Sequence, residues 1–307
     1  MLGVATDPDT SPWGAWMHEP KGRYLPLSGP RRFIGDLVHF ARKVPSAPVS
    51  RLMDLSVLFE ARARHPDRPS WACLFMKAYA LVGAQYTPLR RSYLEFPWPR
   101  LYEHPWMNCA LAIEREYQGE DGVFVGIFRA PEHQSLVQLQ QALSWYKNEP
   151  LEKVGFYRQA LRFSRLPTPV RRMFWWVTLN MSGYKRCKRF GTFGLTSYGN
   201  LGAENLHPIS PLTTTLTYGP IDPATGQVVV KLIYDHRVLD GAFIARRLHD
   251  IENALRGPIR DELRIDQQGT RDHTDGPPPN VEPLLKPHLP TLAPNREPSE
   301  QRVDRKP

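Results

Sequence analysis

Cysteine is scarce in this sequence, and the three present, Cys73, Cys109 and Cys187, are widely spaced with no CxxC pair. That argues against a disulfide framework and a thiolate zinc site alike, and leaves reduced thiols with no nucleophilic role. Long apolar runs are also missing, because nowhere do about 20 uninterrupted apolar residues occur, the length that spans a bilayer. Met1 to Pro26 has no charged-then-apolar signal pattern, so a soluble, cytoplasmic protein is expected. There is no internal repeat. Nothing matches a nucleic-acid-binding motif, and a net charge of +9 alone is too nonspecific to imply nucleic acid as a partner. Acidic residues are absent from one long stretch, Lys153 to Arg189.

A chain of 307 residues, 41% hydrophobic, is long enough for one large core. Its 31 prolines mark where packing is not expected. From Asp261 to Pro307 apolar periodicity vanishes and Pro277-Pro278-Pro279 interrupts the chain, so burial cannot offset ordering entropy there. The expected organisation is a leader over 1–27, a folded unit over 28–260 and a disordered or draped tail over 261–307.

Within the folded unit the spacing predicts a helix over Arg31 to Lys43, with Phe33, Ile34, Leu37, Phe40 and Ala41 on one stripe. A strand over Val49 to Leu55 and helices over Val57 to Arg64 and Trp71 to Gly83 follow, then an irregular stretch from Tyr86 to Pro105. Strands Met107 to Glu116 and Val123 to Phe128 flank Gly119-Glu120-Asp121-Gly122, read as a hairpin turn. Ser135 is placed to cap a helix running to Lys147. Gly191 to Ser197, Leu212 to Tyr218 and Gln227 to Tyr234 complete the strands, and Ile244, Leu248, Ile251 and Leu255 recur at helical spacing until Gly257-Pro258. The pattern predicts an α/β sandwich.

His236-Arg237-Val238-Leu239-Asp240-Gly241 stands where the last strand meets the last helix. An imidazole with an ordinary pKa near ~6.5, held at a rigid strand end, can take a proton from a thiol or hydroxyl and return it within one turnover. Asp240 can fix an arginine through a bidentate pair, and Gly241 lets the backbone turn tightly into the helix.

The segment Tyr234 to Ala242 resembles the active-site segment of the dihydrolipoamide acyltransferases, the core subunits of 2-oxoacid dehydrogenase complexes, whose fold is shared with chloramphenicol acetyltransferase. Gly191-Thr192-Phe193-Gly194-Leu195-Thr196-Ser197-Tyr198-Gly199 is similar to that family's strand bearing an oxyanion-stabilising hydroxyl. Weaker similarity runs through Arg31 to Lys43, Met53-Asp54-Leu55 and Val123 to Leu139, so that the likeness spans roughly Ser28 to Leu255 in the family's order.

The resemblance implies a two-layer sandwich of a mixed sheet with helices and an active site at a trimer interface. Relatives with the same HxxxD motif and two such halves in one chain build their tunnel between the halves. This sequence has one half, so a homotrimer is implied, the base coming from one chain and the oxyanion hydroxyl from its neighbour. His236 takes the role of general base and Thr196 aligns with the stabilising serine, with Ser197 as the alternative donor; a strand threonine chosen for β propensity is the competing explanation of Thr196. Asp240 is assigned to architecture, paired with Arg31 or Arg32, and Gly241 to the turn. Arg237 is left between a phosphate contact and a solvated side chain. Coenzyme A or its acyl thioester enters as substrate. No metal is expected, and His104, His133 and His207 have no ligand spacing.

Three departures qualify the likeness. The leader Met1 to Leu27 has no room for a lipoyl domain, so no covalently attached lipoyl group is expected in this chain, and a hydrophilic tail replaces the family's short apolar end. Pro45-Ser46 stands where the family has Pro-His. The connection over about 150–190 is enlarged, its ten cations accumulating around Met173 to Leu179. Three uses compete for it: a membrane-surface or lipid-handling lid with Trp175, Trp176, Arg171 and Arg172 as its principal residues, a contact for coenzyme A phosphates, or a helix packed on the trimer with a solvated basic face. Taken together these residues indicate an acyltransferase between a coenzyme A thioester and a small, hydrophobic thiol or hydroxyl acceptor, cytoplasmic or peripheral to the membrane. The alternatives are a dihydrolipoamide acyltransferase core served by lipoyl domains in trans and a non-catalytic trimeric scaffold.

Overall fold

The computed structural model describes residues 22–269. Six strands form one mixed sheet in the order β1-β8-β7-β6-β4-β5. They are β1 (Ser46–Asp54), β4 (Asn108–Tyr117), β5 (Glu120–Arg129), β6 (Phe193–Thr196), β7 (Thr214–Tyr218) and β8 (Gln227–Asp235). The pairs β4–β6 and β6–β7 are parallel, and the other three are antiparallel. A separate hairpin, β2 (Arg91–Leu94) and β3 (Arg100–Glu103), forms within the stretch read as irregular, whose proline spacing hid two short strands.

One face of the sheet carries the main core. The helices α2 (Ser56–Arg64), α3 (Trp71–Gln85), α4 (Leu136–Asn148) and α8 (Gly241–Ala254) lie against it. In α3 nearly every side chain is buried, and Tyr79 stacks on Phe193 with centroids 4.3 Å apart while its hydroxyl shares a hydrogen bond with Thr214. Ser135 caps α4 as expected and forms a reciprocal capping box with Gln138.

The opposite face is partly covered by α1 (Gly29–Ala41) and by the enlarged connection, which folds as α5 (Gly155–Ser164), α6 (Thr168–Asn180) and α7 (Gly183–Phe190). These build a second, aromatic core around Phe40, Trp175 and Leu179. Tyr157 of α5 packs on Phe124 and Tyr146, so this helix also protects the β5 edge from unwanted pairing.

Two boundaries differ from expectation. The β4–β5 turn is centred on Gln118 and Gly119, both with positive φ (55° and 78°), and Glu120 to Gly122 belong to β5. A two-residue hairpin loop needs that left-handed pair to match strand twist. Nor do Gly257-Pro258 stop the last helix: a π turn over Leu255–Ile259 absorbs the proline, and α9 (Arg260–Gly269) continues with Leu263 fully buried. Glu262 receives Lys77 at 2.6 Å and the Leu136 amide at 2.8 Å, an anchor no periodicity reveals. Ordered structure thus passes the expected limit at 260; the remainder of the proline-rich tail lies outside the described residues.

Candidate active site

β8 stays buried as far as Asp235, and the chain then turns. The His236 amide bonds to the Pro45 carbonyl at 3.1 Å, and the amides of Val238 and Leu239 return to the Asp235 carbonyl. His236 is therefore held by backbone on both sides while its ring is left 55% exposed beside Tyr234. Its Nδ1 lies 3.7 Å from Asp240 Oδ1, an ionic approach rather than a hydrogen bond.

Asp240 is not paired with Arg31. Arg31 Nε meets Glu120 at 2.7 Å on the β4–β5 turn, and the Glu120 carboxyl is held below its ordinary range by hydrogen bonds from Arg31 and Ser28. Glu120 begins β5, four strand spacings of ~4.8 Å from β8, or about 19 Å across the sheet, which puts Arg31 at the wrong edge. Asp240 ends as the backbone N-cap of α8, with its side chain 85% exposed and bonded to no helix amide. Asp240→Asn is accordingly expected to leave the melting temperature unchanged in the isolated chain; a clear fall in a thermal melt would show a buried ionic partner instead. Gly241 has ordinary φ, and its reason is space, since a Cβ there would stand 3.1 Å from the Tyr234 hydroxyl.

The buried ionic anchor is one residue before the histidine. Asp235, 1% exposed, accepts from the Arg237 amide at 3.0 Å and from its guanidinium at 2.7 and 2.9 Å, and that guanidinium lies 4.2 Å over the Tyr93 ring. Arg237 is thus tied to Asp235 while about a third of its side chain, 32%, stays exposed. Behind it, Arg186 of α7 is fully buried and donates to the carbonyls of Tyr93, Leu179 and Pro211. Burial pushes its pKa down to about 10, with Asp235 acting in the opposite direction. The Asp-His-Arg run was the available signal for this anchor; the Arg186 contact joins elements too far apart in sequence to leave one.

Thr196 closes β6. Phe193 and Leu195 of that strand enter the main core, so alternation turns Gly194 and Thr196 to the opposite face, where both line a groove of about 380 Å³. Among the described residues no side-chain hydrogen bond engages the Thr196 hydroxyl. Ser197 is occupied: its hydroxyl donates to the Tyr218 carbonyl at 2.8 Å and accepts from the Gly199 amide at 3.0 Å. His207 shares the groove and meets Ser46 Oγ at 2.9 Å, in the region where Pro45-Ser46 departs from the family pattern. His104 is buried against Ser92, its pKa lowered to about 4 by burial and by Arg186 and Arg90.

Within one chain the two candidates do not meet. Thr196 is in register with Thr217 and Thr217 with Lys231, and His236 lies five residues beyond Lys231. Five steps of ~3.3 Å along the strand and two of ~4.8 Å across it separate them by about 19 Å.

The lid residues also fall elsewhere than expected. Trp175 is 3% exposed, stacked on Phe40 and packed on Phe33 and Phe190, while Trp176 is half-buried against Phe96. Arg171 is buried in a bidentate pair with Asp36, and Arg172 lies 3.8 Å from the same carboxylate. Val170, Met173 and Phe174 are exposed, because the helical period that puts Arg171 and Trp175 inside turns them out. Among the described residues no helix is long and apolar enough to cross a membrane, and no three His, Cys, Asp or Glu side chains converge to hold a metal ion.

The mixed sheet, its helical layer and the histidine at the β8 end define the fold class, that of the 2-oxoacid dehydrogenase acyltransferase cores. Among solved structures the chain is similar to the Azotobacter vinelandii dihydrolipoamide acetyltransferase, with a TM-score of 0.56 at 18% identity over 85% of this chain and 100% of that one. It is similar also to a probable dihydrolipoamide acetyltransferase of Listeria monocytogenes (0.55, 19%, 76% and 94%) and to the truncated catalytic core of a 2-oxoacid dehydrogenase complex of Thermoplasma acidophilum (0.54, 20%, 77% and 99%). The fold that the motif resemblance implied is the fold observed. No family model matches the sequence, and no curated protein does.

Proposed function

We propose that this chain is an acyltransferase whose active site is assembled from two copies, His236 of one and Thr196 of the next, within a homotrimer. The observation that carries the reading is the ~19 Å between these groups in a single chain, where both are accessible and neither has a competing hydrogen-bond partner. A base and an oxyanion donor serving one carbonyl must each stand about 3 Å from their reacting atom, which a second copy supplies and one chain does not. The Azotobacter vinelandii relative was studied for the role of a serine, a histidine and an asparagine in its catalytic mechanism, the last two spaced four apart as His236 and Asp240 are.

In this scheme the donor is a coenzyme A thioester and the acceptor a small thiol or alcohol. A thiol of ordinary pKa ~8.5 is only a few per cent ionised at neutral pH, so Nε2 of His236 accepts its proton as sulfur or oxygen attacks the thioester carbonyl. The oxyanion accepts a hydrogen bond from Thr196, the tetrahedral adduct expels the coenzyme A thiolate, and that thiolate recovers the proton from His236. A dihydrolipoyl dithiol fits the same acceptor position and belongs in the acceptor screen. The exposed cations of α5 to α7, among them Arg158, Arg162, Lys185 and Lys188, are best taken as a solvated basic face, while Arg171 and Arg186 are structural.

Thr196→Val removes the donor at nearly constant volume and is expected to lower kcat by about 10² to 10³, with Thr196→Ser close to wild type. Steady-state kinetics with a range of acyl-coenzyme A donors and acceptors measures both. Equal rates for Val and wild type would remove the oxyanion assignment.

A further inference from the structure

We propose that the hollow between α1, α5, α6 and α7 is an acyl-chain pocket, selecting coenzyme A thioesters with a medium-length hydrocarbon acyl group over an acetyl donor. The proposal rests on the acyltransferase reading and names the donor class of that site. The hollow, about 80 Å³, is walled by six aromatic rings, Phe33, Phe156, Phe163, Phe174, Trp175 and Phe190. It shares Phe33, Phe156 and Phe190 with the groove that holds Thr196, and Arg189 stands at the junction. A second small hollow opens beyond Phe33, Phe156 and Ala160, with Tyr157 on its wall.

The chemistry of the walls decides the occupant. Apart from Arg189, the lining of the first hollow offers only Gln159 and Thr178 as polar groups, and the Thr178 hydroxyl is engaged by the Phe174 carbonyl at 2.8 Å. A polypeptide segment of a neighbouring copy brings an amide and a carbonyl per residue, and these walls would leave them unsatisfied. A helix, about 10 Å across, is too wide for such a space. A hydrocarbon chain meets neither obstacle.

The walls are also fixed in advance. Trp175 is wedged between Phe33 and Phe190 at 5.4 and 4.6 Å, and the Arg171–Asp36 pair ties α6 to α1 behind it.

Calorimetric titration of the full chain with acetyl-, octanoyl- and dodecanoyl-coenzyme A tests this, since each buried methylene is worth about fourfold in affinity. The hollow of about 80 Å³ has room for about three of the six methylenes by which octanoyl exceeds acetyl, so octanoyl-coenzyme A is expected to bind on the order of 10²-fold more tightly. Ala160→Phe should bring the octanoyl-to-acetyl ratio towards unity, and Ala160→Gly should move the preference to longer chains. Equal affinities in the wild type overturn the proposal, as does loss of the assembly in Ala160→Phe together with an unmoved preference in Ala160→Gly, which would make the hollow packing space. The two readings fail separately. Chain-length-selective binding without transfer to any acceptor removes the acyltransferase assignment alone, and transfer with no chain-length selection in binding removes the pocket alone.

Discussion

His236→Ala is expected to lower turnover by about 10² to 10⁴ while oligomeric state and melting temperature stay at wild-type values. The ring is half exposed, and the backbone bonds to Pro45 and from Leu239 that fix its position remain after truncation. The loss is therefore one of proton transfer rather than of fold. Kinetics and light scattering on the same preparation measure it, and near-wild-type turnover in a folded variant would remove the base assignment.

Asp36→Ala is expected to produce the largest loss of stability. It leaves the Arg171 guanidinium, 7% exposed, with only the Leu166 carbonyl as partner inside the second core. Breaking a buried pair from one side costs about 3–5 kcal/mol, or roughly 6–20 °C in melting temperature for a domain of this size. Asp36→Ala with Arg171→Met should recover much of that, because no uncompensated charge remains. A single variant that melts with the wild type would show that water reaches the pair in the assembly.

The α/β order, most helices and the His236 strand end were legible in the sequence because each rests on local periodicity or capping. Ser135 capping α4 and the apolar period of α8 are of that kind. What escaped depended on distant partners. Arg31 looked like the mate of Asp240 until the sheet order put it at the β5 edge, four strands from β8, and the true anchor of the histidine turn, Asp235 with Arg237 and Arg186, draws on β8 and α7 together. The basic aromatic run suggested an exposed lid because composition does not say which side of a helix faces in. Arg171 and Trp175, four apart, both turn inward, against Asp36 and into the second core.

The claim that two copies complete one site is tested most directly by mixing two inactive proteins. His236→Ala retains Thr196, and Thr196→Val retains His236. Unfolded together in equal amounts and refolded, they give mixed trimers in which random assembly makes about one site in four intact. The account predicts recovery of about a quarter of wild-type turnover from two preparations that are each nearly inactive. A mixture no more active than the sum of its parts, in trimers shown by mass spectrometry to contain both chains, would contradict it.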